Sequence, residues 1–397
     1  MFEAIDQIFV ALKHWVVGQF PAAWQPLGSV FLSIIPILAV FPLLFAITTI
    51  VERKTLGRIQ NRLGPNRVGP FGLLQPVADG LKSLTKEDIV PYAADQVVHF
   101  LAPIALIVPV LLAFSVLPVG RNMVPIDLDA GLLFFFAVGA GSELAVFMAG
   151  WSSRNKYSLL GAMRAIAQMV SYELPLILSS VTVVMLVGSL STVKIVEAQG
   201  EAYGWLLKWH VFTPWGLAGF LLFMIAAAAE SNRTPFDIPE GESEIIAGYL
   251  VEYSGFKFAL FFLGEYLGLF AVSSLAITLF LGGWHAPFSF LEWIPSYLWF
   301  FGKLSAFIML FIWLRGTLPR LRMDQLMNLA WKFMLPMCLI NIVVAAMWHF
   351  TAHWQFVGAV LCRWLLCGAA IGVPYLWLGD ALFGEKKLAK RTYRFAD

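Results

Sequence analysis

The sequence is poor in charge. Only 13% of its 397 residues are Asp, Glu, Lys or Arg, whereas 59% are hydrophobic. Soluble domains carry about 25% charged residues, so the composition excludes an ordinary soluble fold. The formal net charge of +2 excludes little, because in a membrane protein the placement of charge matters more than its sum.

Cysteine is also scarce. The three cysteines, Cys338, Cys362 and Cys367, all lie in apolar segments, and we expect them to be buried packing residues. The sequence has no C-x-x-C pair and no Cys/His cluster with metal-ligand spacing. We therefore expect no iron–sulfur centre or metal site in this chain.

The N-terminal residues lack the features of a cleaved signal peptide. They have no basic region and no small-residue cleavage site, so we expect no removed signal. The apolar stretch from Ile5 to Val17 is short and is interrupted by Lys13 and His14. This pattern favours a helix that lies on the membrane surface.

Long apolar runs recur along the chain, and a spanning helix needs about 20 such residues. The last run contains Arg363, Gly372 and Pro374. We predict an all-α polytopic transmembrane helical bundle, a single membrane domain over residues 1–397 with an amphipathic interfacial helix. The nine predicted spans are 29–51, 97–119, 131–151, 161–189, 213–231, 256–282, 292–315, 329–350 and 356–382.

The distribution of Lys and Arg predicts the orientation of these spans. When alternate connections are assigned to opposite sides, 21 of the 27 basic residues fall on one side and 4 on the other. Basic residues accumulate on the cytoplasmic side of membrane proteins. We therefore predict an outside N-terminus and a cytoplasmic C-terminus.

The first inside connection, with the helix after it, covers about residues 52–96. Gly and Pro interrupt residues 52–70 repeatedly, which predicts an ordered, sharply turned segment and not a helix. A simpler interpretation is that its Arg and Lys side chains anchor the protein to lipid phosphates. Anchoring alone does not require the Gly-Pro-Asn turn at residues 64–66.

The segment that follows, residues 71–84, predicts an interfacial helix. Phe71, Leu74, Val77, Leu81 and Leu84 recur at helical spacing, and polar residues occupy the other faces. This helix could be a surface brace. It could equally form the lip of an opening that admits an amphipathic, lipid-soluble molecule.

The inside connection at about residues 230–255 is acidic, unlike the other inside connections. Its carboxylates alternate with Pro, Phe, Ile and Tyr residues that favour burial. Two carboxylates about 5 Å apart repel by roughly 3 kcal/mol at an effective dielectric near 20. We therefore expect shared protons and coupled, raised pKa values, which would make this loop sensitive to a nearby change of charge.

Besides Arg363 in the last run, four ionisable residues lie well inside predicted spans: Glu143, Glu173, Glu265 and Lys303. Buried charge is costly in hydrocarbon and marks proton or ion pathways. Pro175 would loosen the helix near Glu173. The alternative is a structural ion pair, for instance between Glu265 and Lys303, which would leave two carboxylates unexplained.

Three motifs together resemble one family. They are Glu52-Arg-Lys-Thr-Leu-Gly-Arg-Ile-Gln-Asn-Arg-Leu-Gly-Pro-Asn66, Gln75-Pro-Val-Ala-Asp-Gly-Leu-Lys82 and Glu230-Ser-Asn-Arg-Thr-Pro-Phe-Asp-Ile-Pro-Glu-Gly-Glu-Ser-Glu244. Between about residue 28 and Lys332 the chain resembles the H subunit of NADH-quinone oxidoreductase (respiratory complex I), the family of mitochondrial NADH dehydrogenase subunit 1.

The resemblance implies a membrane subunit of a proton-translocating NADH:quinone oxidoreductase, without a redox centre of its own. It implies that quinone (ubiquinone or menaquinone) is the substrate and that NADH, flavin and iron–sulfur centres belong to other subunits. By the resemblance, residues near the quinone are Glu52, Arg53, Arg62, Asp79, Lys82, Arg233, Phe236 and Asp237. Proton-coupling residues are Glu143, Glu173, Glu230, Glu240, Glu242, Glu244, Glu252 and Glu265.

The expected partners are the other complex I subunits, the lipid bilayer and quinone, with no nucleic acid. The expected location is an energy-transducing membrane, in bacteria the plasma membrane. The last span and basic tail, about 356–397, exceed the family's eight-span core and inherit no function from it. Alternatives are the homologous subunit of a membrane-bound hydrogenase or related dehydrogenase, an autonomous ion transporter, or a structural scaffold.

Overall fold

The computed structural model describes residues 6–200, 208–238, 246–353 and 358–383. In these ranges the regular secondary structure is helical, apart from one isolated β-bridge between Gly120 and Met123. The helices are α1 (Ile8–Gly18), α2 (Gln25–Ile59), α3 (Gln75–Thr85), α4 (Gln96–Ala113), α5 (Gly131–Gly139), α6 (Gly141–Ser152), α7 (Lys156–Val187), α8 (Thr192–Gly200), α9 (Pro214–Glu230), α10 (Gly255–Phe280), α11 (Ser296–Thr317), α12 (Met323–Asn328), α13 (Leu335–Phe350) and α14 (Ala359–Phe383).

Short helical turns connect several of these elements. A π-helical turn joins α12 to α13 at Leu329–Met334. The 3-10 turns are Pro70–Gly72, Phe114–Val116, His210–Phe212, Gly248–Leu250, Ser289–Leu291 and Thr351–His353.

The predicted spans correspond to helices. Eight stretches of the described residues are long and apolar enough to cross a membrane. A ninth apolar helix, α9, has 17 residues, the lower limit for a span. The predicted third span consists of α5 and α6, which meet at Ala140. The all-α polytopic bundle is confirmed, and α1 has the predicted position near the N-terminus.

Local sequence signals set several helix ends. The Asn155 side chain accepts a 3.0 Å hydrogen bond from the backbone N–H of Tyr157 and so caps α7. The same helix ends at Gly188, whose φ of 75° is favourable only for glycine. Thr213 caps α9 through a 3.2 Å bond to the N–H of Gly216, directly before Pro214.

The centre of the bundle is α10. In its most apolar window 72% of the residues are buried, against 6% in α2 and 6% in α14. It packs against α4, α9 and α11. A Cβ on Gly264 would lie 2.8 Å from the Leu106 side chain, so a small residue there permits the close approach of α4. Side chains on α10 therefore contact several neighbouring helices.

Two details of the sequence prediction are wrong. Residues 52–59 continue α2 as a helix, and only the residues after Ile59 form the turned segment. A helix satisfies its backbone locally, and Gly57 leaves room for residues 62–64 to fold back against it. Cys362 is exposed on α14, because this helix is peripheral and presents most of its surface outward.

Candidate functional site

The site is built around Glu52, near the C-terminal end of α2. Only 5% of this residue is exposed, and it has three polar partners. The Tyr266 hydroxyl donates to Glu52 Oε2 at 2.5 Å, and Arg315 donates to Glu52 Oε1. The Arg233 guanidinium lies 3.6 Å from the same oxygen. A buried carboxylate requires such compensation, because removing its hydration costs several kcal/mol.

Arg233 connects this carboxylate to the turn that follows α9. Its guanidinium lies 3.8 Å from the centroid of the Tyr266 ring, a close cation–π contact. Burial works against the charged form, but Tyr266 and Glu52 outweigh it and raise the pKa of Arg233 above its ordinary value. The Arg233 side chain therefore stays positively charged, and it lies buried against the Tyr266 ring of α10.

We call Glu52, Arg233, Tyr266 and Arg315 the Glu52 cluster. Its members come from α2, the turn after α9, α10 and α11. They line a small cavity of about 10 Å³, at about the lower limit for holding one water. Four distant parts of the chain thus meet at one charged point, which can transmit a change of charge between them.

Two exposed basic residues, Arg53 on α2 and Lys82 on α3, surround Asp79 of the surface helix α3. Arg53 and Asp79 form a 2.6 Å ion pair, and Gln75 donates to the other Asp79 oxygen at 3.1 Å. Lys82 lies 3.9 Å from Asp79. These contacts fix the start of α3 beside the end of α2. Arg62, by contrast, is exposed and donates to Gln60 at 2.7 Å, outside the Glu52 cluster.

The apolar face of α3 has no cover from the rest of the described chain. Val77, Leu81 and Leu84 are exposed by 57%, 59% and 61%, and Phe71 just before the helix by 75%. Exposed side chains of this kind next to spanning helices fit a helix that lies in the membrane interface. The geometry is compatible with both the brace and the lip of an opening.

The acidic loop is described up to Ile238 and again from Ile246. The predicted carboxylates Glu240, Glu242 and Glu244 lie outside the described residues. Phe236 is 5% exposed and its ring centroid lies 5.5 Å from that of Tyr172, so it packs into the bundle. Asp237 follows it and interacts electrostatically with Glu265.

Two predicted coupling residues share one cavity. Glu230 and Glu265 both line a space of about 70 Å³, together with Ser142, Asn232 and Tyr249. The Tyr249 hydroxyl donates to Glu265 at 2.7 Å. Glu230 Oε2 is buried and has no hydrogen-bond partner among the described residues. A space of this volume can hold more than one water molecule.

Three of the predicted carboxylates form an electrostatic group. Glu230 interacts with both Glu173 and Glu143, and Glu143 interacts with Glu173. They come from α9, α7 and α6, so packing brings together groups that are distant in sequence. Repulsion within this group makes the protonation of each carboxylate depend on the others.

Glu252 lies in a different neighbourhood. It accepts a 2.7 Å hydrogen bond from the Asn155 side chain. The His99 ring beside it is fully buried and stacks on Tyr253 with 4.0 Å between ring centroids. Lys257 and Asp88, which form a 2.8 Å ion pair, complete this charged environment. The sequence offered no signal for His99, since a single histidine in an apolar run is usually a packing residue.

The suggested ion pair between Glu265 and Lys303 is not formed. Lys303 Nζ donates to the carbonyls of Leu281, Gly283 and His285 at 2.7, 2.8 and 2.9 Å. Its ammonium also lies 4.0 Å from the Trp209 ring. These partners lie past the C-terminal end of α10, whose unpaired carbonyls attract a cation. Lys303 is therefore a helix-end contact and not a partner of Glu265.

Two members of the Glu52 cluster were not predicted from the sequence. Sequence reasoning assigned Arg315 no role in the site, and Tyr266 drew no attention inside its apolar span. A possible signal for Tyr266 was its position next to Glu265, in the pair of polar residues that interrupts the span. Within the described residues, no group of three or more His, Cys, Asp or Glu side chains is arranged to hold a metal ion.

Comparison with known proteins identifies relatives. The family model described as NADH dehydrogenase matches residues 32–346. The chain is 52% identical over 296 residues to the H subunit of NADH-quinone oxidoreductase from Dehalococcoides mccartyi (strain CBDB1), covering 75% of this chain and 80% of the relative. It is 48% identical over 328 residues to the same subunit from Geobacillus kaustophilus (strain HTA426), covering 82% and 94%. It is 44% identical over 355 residues to that from Polaromonas naphthalenivorans (strain CJ2), covering 88% and 99%.

Proposed function

The chain belongs to the NADH dehydrogenase family, and from this premise we propose that it forms the membrane part of the quinone chamber in a proton-translocating NADH:quinone oxidoreductase. The observation that carries this proposal is the Glu52 cluster. It joins the basic end of α2, the start of the acidic loop and two spanning helices at one buried charged point.

The proposal divides the work of the complex between this chain and its partner subunits, as in the family that it resembles. Quinone is the substrate, and the electrons come from redox centres held by partner subunits. This chain contributes binding and coupling. The subunit lies in an energy-transducing membrane, in bacteria the plasma membrane, with its N-terminus outside and its acidic and basic loops on the cytoplasmic side.

In this proposal the quinone headgroup enters past α3, whose exposed apolar face borders the membrane. Arg53, Asp79 and Lys82 line the entrance, and the Glu52 cluster lies beneath it. Reduction adds two electrons to the quinone, and two protons neutralise the negative charge, so the local charge changes until those protons arrive and at any nearby group that supplies them. Buried groups respond strongly, because the field of a new charge is poorly screened there.

The response travels through the acidic loop. Arg233 and Asp237 lie on the described part of this loop, and both interact electrostatically with Glu265. Glu265 shares its cavity with Glu230, which interacts with Glu143 and Glu173. A change in protonation at one carboxylate therefore alters the next, and this sequence forms the first part of the coupling route toward neighbouring membrane subunits.

Glu52→Gln tests this function directly. We expect quinone reduction by the assembled complex to fall by at least about tenfold, because the neutral amide leaves Arg233 without its full counter-charge. NADH oxidation by an artificial acceptor that bypasses the quinone should stay within about twofold of wild type.

Glu197→Gln is the matched control, because Glu197 is exposed and outside the cluster. Unchanged quinone reduction in Glu52→Gln, in complexes of normal abundance, would show that the proposal is wrong. Extraction of the co-purified quinone and its identification by mass spectrometry would define the substrate.

A further inference from the structure

Gln168, on α7, reaches across to the turn that carries Arg233. Its side chain is fully buried, and its Nε2 lies 2.7 Å from the Ala229 carbonyl and 2.7 Å from the Phe236 carbonyl. Asn232 Oδ1 lies 3.1 Å from the same nitrogen. Backbone carbonyls only accept hydrogen bonds, so the nitrogen, and not the oxygen, of this carboxamide must face the turn.

These contacts close the turn at both of its ends. Ala229 is in the last turn of α9 and Phe236 is at the other end of the segment, and a single nitrogen bonds to both. Between them Asn232 has a φ of 49°, the left-handed conformation that non-glycine residues seldom adopt. A side chain from another helix therefore holds this left-handed turn in shape.

The turn is also held from the opposite side. The backbone N–H of Leu321 donates to the Pro235 carbonyl at 3.1 Å, and Arg320 donates to the Ile238 carbonyl at 3.1 Å. These contacts come from the exposed connection between α11 and α12. Gln168 provides the buried contacts to this turn, and the connection between α11 and α12 provides the others. Arg233, which lies beside Glu52, is part of the same turn.

The carboxamide has fewer donors than acceptors within reach. Its NH2 group carries two hydrogens, whereas three oxygens surround it. Its own Oε1 is buried without a hydrogen-bond partner among the described residues. The two shorter contacts, to Ala229 and Phe236, take the hydrogens, and the Asn232 oxygen is a third acceptor that competes for one of them. A second hydrogen-bonding arrangement, in which Asn232 accepts one of the two hydrogens, is therefore within reach of the same side chain.

We propose that Gln168 is a positioning residue that sets the geometry of residues 229–238, and through it the placement of Arg233 against Glu52. This inference rests on the proposed function, because it assigns Gln168 an effect on quinone kinetics through Arg233. Gln168 acts by holding the two carbonyls that define the turn.

The test uses Gln168→Met and Gln168→Glu in the assembled complex. Methionine keeps the volume and removes the donor, and the ionised carboxylate of Q168E places a fourth acceptor beside three others. Gln199→Met is the matched control. Gln199 is also buried and donates to the Thr278 carbonyl at 2.9 Å, but its partners include Gly282 past the far end of α10.

Hydrogen exchange of the backbone provides a readout that does not depend on quinone chemistry. The N–H groups of Arg233, Phe236 and Ile238 bond within the turn or back to Ala228. We expect their exchange to accelerate by about tenfold or more in Q168M and Q168E, the effect of losing roughly one net hydrogen bond, and to stay at the wild-type rate in Q199M.

Quinone kinetics provide the second readout. In Q168E we expect the KM for a short-chain quinone to rise about tenfold, with kcat within about twofold of wild type, because the site is misplaced but retains its groups. Lowering the pH protonates the carboxyl of Q168E and restores one donor. The KM should then return toward the wild-type value, which a purely structural defect would not do.

Equal exchange rates in Q168M, Q168E and Q199M would overturn the proposal. So would an unchanged quinone KM combined with unchanged exchange. Faster exchange with an unchanged KM supports the positioning role and counts against the proposed quinone function, so the two failures are distinguishable. If Q168E does not assemble, the exchange data from Q168M decide the outcome.

Discussion

The Tyr266 hydroxyl donates a 2.5 Å hydrogen bond to the Glu52 carboxylate, although 214 positions separate the two residues in the sequence. The same tyrosine ring carries the Arg233 guanidinium on its face. One side chain thus contacts both members of a buried ion pair. Its hydroxyl fixes the carboxylate and its ring fixes the cation.

Tyr266→Phe separates these two contributions. The ring remains for Arg233, but Glu52 loses a hydrogen bond to a charged group, worth about 1.5–3 kcal/mol. We expect quinone reduction to fall at least about tenfold in a complex of normal abundance. Tyr172→Phe is the control, because Tyr172 is also buried and donates to a backbone carbonyl, that of Leu326, at 2.9 Å.

The two arginines of the cluster should differ in their effect on stability. Arg233 has a side chain only 10% exposed, whereas that of Arg315 is 35% exposed. Arg233→Met removes a buried cation, which typically costs about 3–5 kcal/mol, whereas Arg315→Met removes a partly exposed cation from the buried Glu52 and should cost less, about 1–3 kcal/mol. Subunit abundance and the apparent Tm of the detergent-purified complex measure this difference. Equal losses of stability in both variants would show that the greater burial of Arg233 does not make it more important for stability.

The surface helix α3 should present Val77 and Leu81 to lipid. Spin labels at cysteines placed there should be more accessible to oxygen than to a water-soluble relaxation agent, and a label at position 82 should show the opposite. The native cysteines are first replaced by alanine. Equal aqueous accessibility at all three positions would mean that the apolar face is not in the membrane.

The predicted orientation can be tested with a membrane-impermeant maleimide. Arg154 lies in the exposed connection between α6 and α7, and the Asp129 side chain is 95% exposed. In a cysteine-free background, Arg154→Cys should be labelled in inside-out vesicles and Asp129→Cys in right-side-out vesicles. The reverse pattern would invert the whole topology.

His285 gives a pH dependence with a definite sign. Burial, with the charges of Lys303 and Arg121, lowers the pKa of His285 to about 4, from an ordinary value of 6.5. The unfolded chain therefore takes up a proton between these values while the folded chain does not. Stability from this group is complete above pH 6.5 and is lost progressively as the pH falls toward 4.

The measurement compares wild type with His285→Gln. Between pH 7.5 and pH 5 the wild type should lose about 2 kcal/mol through this group, seen as a larger fall in apparent Tm than in the variant. His353→Gln, at an exposed histidine, is the control. A parallel fall in Tm for wild type and His285→Gln would contradict the assignment.

Much of the fold followed from the sequence because hydropathy is a local property. Each predicted apolar run contains a helix, and the spacing of Val77 and Leu81 located the amphipathic helix α3. The continuation of α2 beyond residue 51 was missed, because glycines and charges suggested a turn where backbone hydrogen bonding still favoured a helix. Hydropathy also placed Glu143, Glu173 and Glu265 inside spans, where they are partly buried, but it gave no sign that Glu52 is buried.

The partners of those carboxylates depended on the tertiary structure. Charge and burial made Glu265 and Lys303 a reasonable pair, yet Lys303 binds carbonyls at one end of α10 and Glu265 binds Tyr249 elsewhere. Likewise, Glu52 is joined to Arg315 only because α2 and α11 pack with these faces together. A sequence specifies which segments enter the membrane, since that depends on each segment alone. Which side chains meet depends on the rotation and depth of every helix against its neighbours, and only the packed bundle decides it.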